Sequence, residues 1–273
     1  MKIKQRSFFS LLFLLLFASA CDNYNKVLKS NDVELKYEKA KEYYNQGKYF
    51  KAIPLLDELI SIYRGKAELE DIYYIYCYAH YGQGNYLMAA YNFKNFYTFY
   101  PGSENAEEAM FMVGKCYYQV SPDPELDQEY TLQAINAFQL FINSYPNSER
   151  VAQANEYIRL LRKKLERKAF DAAKLYFDMG QYQAAAISFE NILFEYPDMA
   201  EAEYVQFLIV KSKYLFAKNS IESKQAERYN ETIEAYKRFK QKYPESEWIN
   251  DAKILYVKAR AALNPQQTKK IEQ

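Results

Sequence analysis

One histidine, one tryptophan, three cysteines and seven glycines in a chain of 273 residues leave few parts from which to build a chemical centre. With His80 alone and no clustered cysteines, a zinc site would have to be made of carboxylates. No Gly-rich phosphate loop and no nucleophile elbow occurs. Asp and Glu are plentiful but lie scattered among Lys and Arg, the pattern of a solvated helical face. An enzyme is therefore not expected, and neither is a cofactor or a metal; His80 is expected to pack between helices. Charge of one sign is also missing. The formal charge is +1, and losing Lys2, Lys4 and Arg6 with a cleaved leader takes it to about −2, so no basic excess exists to neutralise phosphates and nucleic acid is not an expected partner.

Long apolar runs are absent beyond the N-terminus. There Lys2, Lys4 and Arg6 precede a ten-residue apolar run, Phe8 to Phe17, interrupted only by Ser10 and followed by Ala18-Ser19-Ala20-Cys21. The run is too short to span a bilayer, and the pattern reads as a secretory signal, residues 1–20, ending in a lipobox-like cleavage site. Cys21 is the expected lipid-bearing residue, and 21–31 the expected linker. Cys77 and Cys116 are expected to be small buried residues rather than a disulfide.

What the sequence has in quantity is tyrosine, 29 of them, many in a repeated pattern. YYNQGKYFKAIPLLDELISIY from Tyr43 is echoed 37 residues later, within YGQGNYLMAAYNFKNFYTFYP from Tyr81. An alanine follows each glycine by five residues: Gly47 and Ala52, Gly84 and Ala89, Gly180 and Ala185. AINAFQLFINSYP from Ala134 and TIEAYKRFKQKYP from Thr232 repeat the second half. Tyr-Pro closes four of the five copies, at Pro101, Pro146, Pro197 and Pro244. Each unit reads as two antiparallel helices, with glycine at the turn between them and proline stopping the second. Small residues such as Ala40, Cys77, Gly114 and Ala173 permit close approach. The pattern resembles tetratricopeptide repeats and predicts an all-α helical-hairpin solenoid of five repeats.

The alignment positions 52, 89, 134, 185 and 232 are spaced unevenly. Val120 to Tyr130, with two prolines, is an expected loop in repeat 3, and Ala217 to Tyr229 an expected polar excursion in repeat 5. Ser148 to Met179 has neither Gly nor Pro and predicts one long helix, capped by Ser148, acting as a rigid spacer. The expected organisation is repeats 1–3 over 32–147, the connecting helix over 148–179, repeats 4–5 over 180–263, and a polar tail over 264–273.

In tetratricopeptide superhelices the first helix of each pair builds the concave wall. Its spacing selects Tyr37, Lys41 and Tyr44 in repeat 1, Tyr74, Tyr78 and Tyr81 in repeat 2, and Phe111, Lys115 and Tyr118 in repeat 3. Such an aromatic groove suits extended peptides. Trp248 is a further candidate contact, since tryptophan is enriched at binding hot spots.

The lipobox, the five repeats, the long helix, and segments such as CDNYNKVLKSNDVELKYEKAKEYYNQGKY and AINAFQLFINSYPNSERV together resemble the BamD family of outer-membrane lipoproteins, over residues 21 to 262. The resemblance implies a lipid tether on the periplasmic face of the outer membrane, a BamA-type insertase as partner through its POTRA domains, and recognition of unfolded barrel proteins. In that family the N-terminal repeats are associated with substrate and the C-terminal repeats with the insertase. A nutrient-binding lipoprotein of the SusD type and a periplasmic scaffold for envelope enzymes are the other classes compatible with such repeats.

Replacing Cys21 by Ala is expected to abolish acylation and release the protein into the soluble periplasmic fraction. Membrane fractionation with intact-mass measurement checks this; an acyl mass retained by the variant would place the tether elsewhere.

Overall fold

A computed structural model describes residues 24–264 of the chain. Among these the structure is all-α: a short helical turn at 24–28, then eleven helices. They are α1 (Val33–Asn45), α2 (Tyr49–Ile62), α3 (Leu69–Gly82), α4 (Tyr86–Phe99), α5 (Ala106–Val120), α6 (Glu129–Ser144), α7 (Val151–Asp178), α8 (Tyr182–Glu195), α9 (Ala202–Lys218), α10 (Glu222–Lys242) and α11 (Ile249–Leu263).

The punctuation follows backbone chemistry. Asp32 caps α1 by accepting a hydrogen bond from the Leu35 amide at 3.0 Å. Gly47, Gly84 and Gly180 hold φ of 68°, 82° and 76° between paired helices, a left-handed conformation that costs other residues about 1–2 kcal/mol. Tyr100, Tyr145, Tyr196 and Tyr243 cap α4, α6, α8 and α10, and the proline after each prevents continuation. The five alignment positions Ala52, Ala89, Ala134, Ala185 and Thr232 are all completely buried.

The chain forms two compact units, divided within α7 after Leu161, with the short stretch 123–125 grouped with the second. The first unit has two cores. One gathers Val27, Ala40, Leu55, Leu56, Leu59 and Ile72; the other is built around Phe93, Phe96, Phe111, Phe138 and Phe141. In the second unit Phe189, Val205, Leu208, Phe239 and Ala252 share a core with Phe170 and Trp248 packed against it. The first part of α7 supplies Ala154, Tyr157 and Leu161 to the first unit, and its second part supplies Leu165, Phe170 and Ala173 to the other.

Several expectations are corrected. The long helix starts at Val151, not Ser148. The Ser148 hydroxyl is used in the preceding turn, accepting from the Arg150 amide at 3.1 Å and donating to Glu107 Oε1 at 2.6 Å. The helix then continues through 163–167 without a break. The polar excursion from Ala217 is mostly helical, because it contains neither Gly nor Pro and has something to bury. Tyr229 packs on Tyr214 and, with Ala217 and Ala259, forms a small satellite core. Residues 24–31 are not a free linker either: Val27 is buried against α1 and α2. Two other expectations hold: Cys77 and Cys116 are buried, free small residues, and His80 packs between helices. His80 is buried with its ring edge-on to Tyr76 at 4.5 Å.

Gly114 shows how little slack these interfaces have. A Cβ there would lie 2.7 Å from the ring of Phe138, which is fully buried and stacked on Tyr157 at 5.0 Å. Gly114→Ala is expected to destabilise the fold by about 1–3 kcal/mol through overpacking. Gly102→Ala, where a Cβ meets nothing within 4 Å, is expected to be nearly neutral. Urea midpoints of the two variants check the contrast.

Candidate functional site

The expected groove residues arise at equivalent places on α1, α3 and α5, and the structure joins most of them to partners. At its centre, Tyr74 and Tyr78 meet edge to face at 5.1 Å, backed by Phe96 and Phe93 respectively. The Tyr78 hydroxyl donates to Glu108 Oε1 at 2.5 Å. Arg150 Nη2 lies 3.1 Å from the other oxygen of that carboxylate, and its guanidinium covers Phe111. A tyrosine pair, a carboxylate and an arginine thus form one half-exposed cluster.

To one side, Lys41 Nζ sits over the Tyr37 ring at 4.8 Å, and Tyr44 meets Tyr49 edge-on. To the other, Lys115 Nζ lies 5.6 Å from the Tyr81 ring, and Tyr118 packs against Tyr157 at 4.6 Å. Phe111 does not belong to an open wall. It is 1% exposed, enclosed by Phe138, Phe141 and Tyr157. Its position is equivalent to Tyr37 and Tyr74, but the start of α7 covers this third copy.

Burial dominates the electrostatics. It pushes the Tyr74 hydroxyl up to about 12. The Tyr78 hydroxyl is raised by burial first and by its bond to Glu108 second; Tyr44 is raised by burial, then by Tyr49 and Glu108. These phenols stay neutral at physiological pH and act as donors beside a carboxylate.

Glu108 and Arg150 are absent from the groove inferred from sequence. Glu108 had a readable signal: Glu34, Asp71 and Glu108 recur at the repeat spacing, each in the first turn of its helix, where a carboxylate also complements the helix dipole. Arg150 lies in an irregular turn, outside any repeat register.

Trp248 is placed inside the second unit, stacked on Phe207 at 5.2 Å and against Tyr204 at 5.0 Å. That is the geometry of a supporting core residue. Cys21 lies outside the described residues. Among the described residues no group of His, Cys, Asp and Glu could hold a metal, and no helix is long and apolar enough to cross a membrane.

Comparison with known proteins finds relatives of this chain. A BamD-named protein of Aquifex aeolicus is 26% identical over 211 residues, covering 77% of this chain and 69% of that one. The outer membrane protein assembly factor BamD of Pasteurella multocida is 24% identical over 217 residues, 76% of this chain and 83% of its own. The solved TPR domain of P58(IPK) aligns over 89% of this chain and 68% of that domain, at 15% identity and a TM-score of 0.41. The helix pairing described above, rather than that loose likeness, carries the fold. The family model described as "outer membrane lipoprotein", YfiO, matches residues 29–214, a span that includes all of the aromatic cluster, and the chain belongs to that family.

Proposed function

We propose that the protein is a non-enzymatic assembly factor for outer-membrane β-barrel proteins, tethered through Cys21 to the periplasmic face of the outer membrane. Family membership over 29–214 is the observation that carries this reading, and the BamD names of its relatives supply the activity. The lipobox-like sequence before Cys21 agrees with a family of lipoproteins.

Within that role, the aromatic face of the first unit receives extended, unfolded segments. Tyr44, Tyr74 and Tyr81 are half-buried rings with neutral hydroxyls, able to stack on an aromatic side chain and to donate hydrogen bonds to a peptide backbone. A segment ending in an aromatic residue with a free carboxylate fits them if its terminus lies towards Lys115. Arg150 is already engaged by Glu108, and the carboxylate row on the far side repels a second anion. The C-terminal part of the second unit, about 200–263, docks a BamA-type insertase through its POTRA domains. Trp248 contributes to that docking by holding α11 against α9 rather than by direct contact.

Titrating a fluorescent peptide that ends in Phe with a free carboxylate tests the first surface. Tyr74→Ala with Tyr81→Ala is expected to weaken binding about 5- to 150-fold, the loss of roughly 1–3 kcal/mol typical of anchoring aromatics. Lys115→Ala should cost less, as a solvent-exposed ion pair does. Unchanged affinity in a double variant of normal helicity would show that the tyrosines only pack. For the second surface, removing 200–263 is expected to abolish co-purification of the insertase; retention would move the contact to residues before 200.

A further inference from the structure

The edge of the first unit next to the tether carries apolar side chains that the fold leaves uncovered. Phe50 is 62% exposed at the start of α2, and Leu87 and Met88 are 45% and 49% exposed at the start of α4. Phe50 and Leu87 occupy the same place in successive repeats, each following the tyrosine that opens its helix. The start of α2 meets the end of α3, four residues before α4 begins: the ring of Tyr49 rests on Gly82 so closely that a Cβ there would come within 2.3 Å of it.

The chain leading to Cys21 leaves from this edge. Val27 is buried, and Tyr24 meets Tyr43 edge to face at 5.7 Å and lies under Lys51 Nζ at 5.4 Å. From Tyr24 only three residues of chain lead back to Cys21, a reach of at most about 11 Å. A lipid on Cys21 therefore holds this edge within headgroup distance of its bilayer.

Charge agrees with that position. Neither Tyr43–Pro54 nor Gly82–Thr98 contains an acidic residue, whereas they carry Lys48, Lys51 and Lys94. Lys51 Nζ lies near the rings of Tyr24, Tyr43 and Phe50, the mixture of cation and aromatic rings that suits a membrane interface.

We propose that this edge seats in the headgroup layer of the membrane that holds Cys21, with Phe50, Leu87 and Met88 entering its apolar boundary and Lys48 and Lys51 meeting lipid phosphates. The proposal rests on the tether at Cys21. It makes the tether a two-part attachment, in which lipid chains hold the protein and the aromatic-basic edge fixes its orientation.

The test uses the lipidated mature protein in vesicles of phosphatidylcholine and phosphatidylglycerol, with acylation of Cys21 first established by mass spectrometry. An environment-sensitive fluorophore is attached at Phe50→Cys or, at the opposite end of α2, at Arg64→Cys; Cys77 and Cys116 are buried and do not compete. Quenching by a headgroup-nitroxide lipid is expected to be at least about threefold stronger at position 50, consistent with interfacial seating to about 5–10 Å. Lys48→Glu with Lys51→Glu should reduce the difference. Equal quenching at both positions in acylated protein of normal helicity overturns the proposal, whereas absence of the acyl mass overturns the tether itself.

Discussion

Two helices approaching over a side chain no larger than alanine or threonine is the contact on which the rest of this structure depends. Ala52, Ala89, Ala134, Ala185 and Thr232 are fully buried in their pairs. Where an aromatic ring meets a glycine, as Phe138 meets Gly114 and Tyr49 meets Gly82, not even a methyl group has room. Close packing of this kind tolerates few voids and little extra volume. It also fixes the rotation of each helix, so the side chains pointing away from the contact are placed as firmly as those within it.

That rotation brings tyrosines and carboxylates together on the first-helix face. Glu108 accepts from Tyr78 and pairs with Arg150, so α3, α5 and the turn before α7 are tied by one carboxylate. A charge in such a place is costly unless hydrogen-bonded and paired, and here it is both. The neighbouring rings remain neutral and partly exposed, which gives a surface able to stack and to donate hydrogen bonds without a strong charge of its own.

The helix pairs were legible in the sequence because glycine, alanine and Tyr-Pro mark backbone requirements that few other residues meet. The left-handed Gly47, Gly84 and Gly180, and the buried alignment positions, stand where the repeat places them. Legibility fails where a residue's neighbours come from outside its own repeat. Phe111 looked equivalent to Tyr37 and Tyr74, but the first turns of α7 enclose it. Ser148 reads as a helix cap but serves the turn before the helix, and the polar excursion near Ala217 carries two buried anchors, Ala217 and Tyr229, among polar residues. The carboxylate at 108 is legible as the third member of a periodic column with Glu34 and Asp71, a weaker signal than the aromatic pattern beside it.

The sharing of α7 between the units has a consequence for the order in which the chain acquires its shape. Phe111 and Phe138 are covered in part by Tyr157, with Ala154 and Leu161 in the same core. The first unit therefore cannot close its core when the third hairpin ends at Ser144; it must wait for another turn and about three turns of helix to follow. Until then a cluster of phenylalanine rings faces solvent, and a chain cut at 147, the boundary its repeats advertise, would keep that sticky face permanently.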